Sequence, residues 1–120
     1  LSFYGKVVHK GHFDAAHCLE GFGKCSNLHG HTYTVEIEIS GPVMENGVIA
    51  DFRDVKDCYM CLDHKNLNEV LGVLPTAENT AIFILETLHA KFDLKPGTKH
   101  DREYRVRLWE GKNNYVEFEL

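Results

Sequence analysis

From His31 to Ser40 the chain alternates without a break. His31, Tyr33, Val35, Ile37 and Ile39 fall on one parity, and Thr32, Thr34, Glu36, Glu38 and Ser40 on the other. Successive side chains of a strand point to opposite faces, so this segment reads as an antiparallel-type strand with one dry and one wet face. A slip of one residue would send Glu36 and Glu38 into the core. The dry face needs a second layer to cover it, and that requirement constrains the rest of the fold.

A weaker alternation precedes it. From Ser2 to Ala15, residues Phe3, Val7 and Phe13 share a parity opposite to Lys6, Lys10, His12 and Asp14, which predicts a first strand. The segment G-P-V-M-E-N-G-V turns the chain. Asp51 then caps a predicted helix with Phe52, Val55, Tyr59 and Leu62 at helical spacing. Thr76 caps a second helix, with Glu78 at its positive end and Ala81, Leu85, Leu88 and Phe92 as its apolar stripe. Lys95 to Gly97 stop it. Two strands follow: Glu103 to Glu110, with Tyr104, Val106 and Leu108 inward, and Tyr115 to Leu120, with Val116, Phe118 and Leu120 inward. The predicted order is ββααββ, an α+β fold with two helices on one face of an antiparallel four-stranded sheet. At 120 residues the chain is the size of a single domain, 1–120.

Composition narrows the partners. A formal charge of −5 disfavours a chain-wide nucleic-acid surface, and no apolar run approaches a membrane span. No nucleic-acid or membrane partner is therefore expected. The four cysteines, Cys18, Cys25, Cys58 and Cys61, read as reduced thiols of a cytoplasmic protein.

The histidines carry the chemistry. His29 and His31 lie two apart on the second strand, so both imidazoles project to one face, with Gly30 between them. His17 shares the inward parity of Phe13. If the first strand stays regular, an antiparallel return across residues 18 to 28 gathers all three. Three neutral imidazoles with a fourth position open describe a catalytic zinc site, although iron or another divalent ion suits the same ligands. His9, His12, His89 and His100 read as surface or structural.

Cys25 stands four residues before His29. Its thiol is either a fourth ligand, closing the site, or a proton-transfer group. Asp63-His64 would serve the second role as the orienting pair of a Cys-His-Asp relay. On spacing alone, a turn carboxylate and a solvated loop histidine explain that pair as well. Cys58-x-x-Cys61 has no second pair and reads as incidental. Glu110 continues the inward row of Tyr104, Val106 and Leu108. It is either a solvated strand end or an acid that grips the N–H edge of a heterocycle through paired hydrogen bonds. Glu78 is either a helix-start charge or a ligand contact.

In order along the chain, F-D-A-A-H, C-S-N-L-H-G-H-T-Y, L-D-H-K-N-L-N, P-T-A-E-N and W-E-G resemble the 6-pyruvoyltetrahydropterin synthase / 6-carboxytetrahydropterin synthase family. The resemblance implies a tunnelling fold whose subunits join through their sheets. That makes a homo-oligomer, a hexamer built as a dimer of trimers or a tetramer, with active sites at subunit boundaries. It implies Zn2+ on His17, His29 and His31, and catalysis by Cys25, Asp63 and His64. It implies pterin binding by Glu110 and, across the boundary, by Thr76, Ala77 and Glu78, with 7,8-dihydroneopterin triphosphate as substrate. Lys24 is a candidate triphosphate contact on charge and position. The run C-L-E-G after F-D-A-A-H departs from the basic residue, leucine and proline of many members. The short loop between His17 and Cys25 resembles the carboxy-forming branch.

Overall fold

In the computed structural model, which describes residues 3–94 and 102–120, the sheet is built on two long strands. β1 (Tyr4–His17) and β2 (His29–Pro42) pair antiparallel over their whole length, with Tyr4 opposite Pro42 and His17 opposite His29. The alternation seen in the sequence becomes alternation of burial. Phe13, Ala15, Tyr33, Val35, Ile37 and Ile39 are buried, whereas Lys6, Lys10, His12 and Asp14 are exposed. β4 (Glu103–Glu110) pairs with β2, and β5 (Asn114–Glu119) with β4.

The helices cover the buried face. Asp51 caps α1 (Phe52–Met60) by accepting from the Arg53 N–H, and Val55, Cys58 and Tyr59 turn inward. Thr76 caps α3 (Ala77–Phe92) by accepting from the Asn79 N–H, and Ala81, Ile84, Leu85 and Leu88 form its buried stripe. Burial of Ile84, Leu85 or Leu88 contributes roughly 1.5–3 kcal/mol each relative to exposure. Below the far end of α3, Asp93 and Arg102 form a buried ion pair at 3.4 Å.

The expected four-stranded antiparallel sheet with two helices needs correction. The sheet has five strands in the order β3-β1-β2-β4-β5 and is mixed. β3 (Lys65–Asn66) lies parallel to Ala15–Ala16 on the free edge of β1, and the short α2 (Leu67–Val70) follows it. The described residues therefore form three α-helices and a short 3-10 turn at Gly23–Ser26. A two-residue strand carries no period, so alternation could not announce it. Three smaller expectations also fail. Leu120 is 56% exposed, Phe3 66% and Phe52 52%, although all three were expected on buried faces. Leu62 is buried but lies beyond the end of α1. The strand start at Ser2, the helix stop at 95–97 and His100 fall outside the described residues.

Candidate functional site

β1 ends at His17 because the next residue is clamped. The Asn68 side chain accepts from the Cys18 N–H at 2.8 Å and donates to the Cys18 carbonyl at 2.9 Å. The loop from Cys18 to Leu28 then folds on itself, with the Leu19 N–H donating to the Cys25 carbonyl at 2.6 Å. The chain re-enters the sheet at His29, opposite His17, while His31 stands opposite Ala15.

This register brings the three imidazoles together. Ring centroids are 4.6 Å apart for His17–His29, 5.0 Å for His17–His31 and 4.8 Å for His29–His31. One ligand atom from each lies within 4.8 Å of the others, so the trio could hold a metal ion. Main-chain carbonyls set two tautomers. Carbonyl oxygens only accept, so the His17 Nδ1–H donates to Pro75 at 2.7 Å and the His29 Nδ1–H to Asn27 at 2.7 Å. Both rings are left with a free Nε2 lone pair. His17 is fully buried, and Nε2 of both His17 and His31 lacks a hydrogen-bond partner. Buried polar atoms are seldom left unpaired. Two such atoms in one cluster fit a cation site better than a packed core. Burial holds His31 below the ordinary imidazole range, and its neighbours His17 and His29 add to this against the opposing pull of Glu110. The neutral, ligating form is the one favoured.

Glu110 links the cluster to a cleft. Its Oε1 lies 3.4 Å from His31 Nε2, at the end of β4 where it pairs with Tyr33. The adjoining cleft, about 320 Å³, is lined by Thr76, Ala77, Glu78 and Glu110, with Leu19, Phe22 and Tyr115 among its other walls. The four residues singled out in the sequence for substrate binding thus share one cleft within a single chain. Thr76, Ala77 and Glu78 need no second subunit to meet Glu110.

Asp63 and His64 do form a pair, with Asp63 Oδ2 2.8 Å from His64 Nδ1. The pair is bolted to the edge of β1. Asp63 Oδ1 accepts from the Asp14 N–H at 2.9 Å, and the His64 N–H donates to the Asp14 carbonyl at 2.6 Å. His64 takes a left-handed backbone, φ 59°, to make both contacts. The Asp14 N–H, and then His64, hold the Asp63 carboxyl below its usual range. His64 lines a groove of about 590 Å³ with Asp14, Ala16, Gly30, Thr32 and Lys65, which also touches His31. Asp14, Ala16, Gly30 and Thr32 lie on the sheet face opposite the helices.

Cys25 is half-buried in the 3-10 turn. It is not part of the three-histidine group, and among the described residues no hydrogen bond joins it to His64. The structure joins the histidine trio to the cleft and forms the Asp63-His64 pair at a separate groove, but does not close the relay through Cys25 within one chain. Cys58 is buried, which pushes its thiol up to about 11, consistent with an inert packing role. His9 is structural, 2.8 Å from the Tyr59 hydroxyl.

Sequence reading missed Pro75 and Asn27, whose carbonyls orient two of the imidazoles. No side-chain signal marks a main-chain acceptor, although Pro75 opens the P-T-A-E-N segment. It also missed Tyr33, whose hydroxyl lies 3.2 Å from His17 Nδ1 and whose inward parity with His31 was visible.

Comparison with known proteins bears on the family and the fold. The family model described as 6-pyruvoyl tetrahydropterin synthase matches residues 6–120. The 6-carboxy-5,6,7,8-tetrahydropterin synthase of Haemophilus influenzae is 31% identical, over 95% of this chain and 98% of its own length. The 6-pyruvoyl tetrahydrobiopterin synthase of Dictyostelium discoideum is 37% identical, over 79% of this chain and 73% of its own. The structure of the Caenorhabditis elegans 6-pyruvoyl tetrahydropterin synthase superposes with a TM-score of 0.72 at 26% identity, covering 96% of this chain and 94% of that one.

Proposed function

The chain belongs to the 6-pyruvoyl tetrahydropterin synthase family, and from that premise we propose that it is a zinc-dependent 6-carboxy-5,6,7,8-tetrahydropterin synthase. The reaction would convert 7,8-dihydroneopterin triphosphate and water to 6-carboxytetrahydropterin, acetaldehyde and triphosphate, supplying deazapurine synthesis of the queuosine type. The observation that carries the reading is the histidine trio. Two of its buried Nε2 atoms have no hydrogen-bond partner, and Glu110, 3.4 Å from that of His31, ties it to a cleft.

His17, His29 and His31 would hold Zn2+, leaving a coordination position open. When bound, the ion supplies Lewis-acid polarisation of a substrate oxygen and acidifies the neighbouring C–H. The chain's own residues do the rest. Glu110 accepts from the pterin N–H edge through two charge-assisted hydrogen bonds, and Thr76, Ala77 and Glu78 line the same cleft. Cys25 moves protons at the substrate side chain. His64 acts as base at Nε2, because Asp63 holds its Nδ1 proton. The His64 side chain is 80% exposed and unbonded to Cys25, which supports a relay completed between subunits of a homo-oligomer. Covering the free edge of β5 serves the same assembly.

The test is product identification by mass spectrometry after incubating zinc-loaded protein with 7,8-dihydroneopterin triphosphate. A 6-carboxy product with acetaldehyde upholds the reading. A 6-pyruvoyl product establishes the second reading, 6-pyruvoyltetrahydropterin synthase, which the Dictyostelium relative favours. Unchanged substrate overturns both in favour of a non-catalytic zinc or pterin binder. Cys25→Ala should abolish turnover with zinc retained. Loss of zinc in that variant would make Cys25 a ligand instead.

A further inference from the structure

The sheet face away from the helices carries a ladder of side chains that ends at the cleft. Arg107 pairs directly with Glu117, and Trp109 with Tyr115, across β4 and β5. Arg107 Nε donates to Glu117 Oε1 at 2.8 Å, and its Nη2 lies 2.7 Å from the same oxygen. The guanidinium so fixed stands 4.9 Å from the Tyr115 ring centroid and 5.6 Å from the Trp109 ring. Trp109 meets Tyr115 edge to face, at 5.3 Å and 82°, and the Lys10 ammonium stands 5.3 Å from the Trp109 ring. Arg107 and Trp109 therefore both hold Tyr115 in place, although it is 51% exposed.

An exposed aromatic ring held in this way has little freedom left to lose on binding. Tyr115 also lines the cleft that contains Glu110, where Phe22 and Leu19 add apolar surface. Apolar and aromatic walls with carboxylate acceptors at one edge suit a planar heterocycle that carries N–H donors.

We propose that Tyr115 is the ring-stacking wall of this cleft, and that the Arg107–Glu117 pair is its positioning brace. The proposal rests on the reading of Glu110 as the heterocycle anchor.

The test is a fluorescence titration of the full-length protein with neopterin. Tyr115→Ala should weaken binding roughly tenfold, the scale of one lost stacking contact. Tyr115→Phe should bind like the wild type. Tyr115→Leu should bind as weakly as Tyr115→Ala, because apolar bulk does not replace a ring face. Arg107→Met should weaken binding in the wild-type background and leave it unchanged in the Tyr115→Ala background. A merely structural role for Arg107 would lower affinity in both. Glu110→Gln separates this proposal from the reading beneath it. If Glu110→Gln loses binding and Tyr115→Ala does not, the anchor stands and the wall is overturned. If Glu110→Gln binds like the wild type, both fall. Wild-type affinity in Tyr115→Leu overturns the stacking claim.

Discussion

Removing and restoring a metal should change the stability of this fold by an amount set by its binding to the folded chain alone. His17 is fully buried, and neither His17 Nε2 nor His31 Nε2 has a hydrogen-bond partner, although Glu110 Oε1 stands 3.4 Å from the latter. An unsatisfied buried polar atom costs about 1–3 kcal/mol, and a metal ligated through His17 Nε2 would remove that cost. A metal that binds only the folded chain adds about 4 kcal/mol at a thousandfold excess over its Kd. An unfolding entropy of ~2.1 cal/mol/K per residue gives about 0.25 kcal/mol/K for 120 residues, so the melting point should rise by about 16 °C. The assay is calorimetry on chelator-treated protein with added Zn2+, alongside metal content by mass spectrometry. One ion per chain should accompany the full shift, and His31→Ala should lose most of it. A wild-type melting point unmoved by Zn2+, or an undiminished shift in His31→Ala, would refute the cluster as a metal centre.

Other substitutions test other contacts. Asp63→Asn keeps an oxygen for the Asp14 N–H but presents an amide donor to His64 Nδ1, forcing the proton onto Nε2. Turnover should fall by about 10²–10⁴ with the melting point little changed, and nitrogen NMR should report the switched tautomer. Asp63→Ala should lower both activity and stability, because the docking on β1 goes too. Gly11→Ala would drive a methyl into the Tyr59 hydroxyl that also binds His9, costing about 1–3 kcal/mol in urea denaturation. Arg102→Ala removes the guanidinium from beside Asp93, whose side chain is 4% exposed, and should cost on the order of 3 kcal/mol by the same measurement.

What the sequence made legible follows from what side chains report. β2 was visible because one face is buried and the other wet, and β4 runs from Glu103 to Glu110 as predicted for the same reason. The gathering of His17, His29 and His31 needed only period two and an antiparallel return, and the register His17 opposite His29 supplies both. The Asp51 and Thr76 caps were visible because a capping side chain is itself the donor's partner. β3 was hidden because two residues make no pattern. The seat of Asp63 and His64 was hidden because it is made by the main chain of Asp14, and every residue type offers that N–H and C=O. The carbonyls of Pro75 and Asn27 escaped for the same reason. Tyr115 shows a different limit. Its outward parity was legible, and on a long strand it would have excluded Tyr115 from a site on the helix side. But Tyr115 is the second residue of β5, directly after the turn, and there the sheet no longer separates its two faces. A side chain from the outer face can then reach the cleft beside Glu110, so parity predicts burial along a strand but not which residues meet at its end.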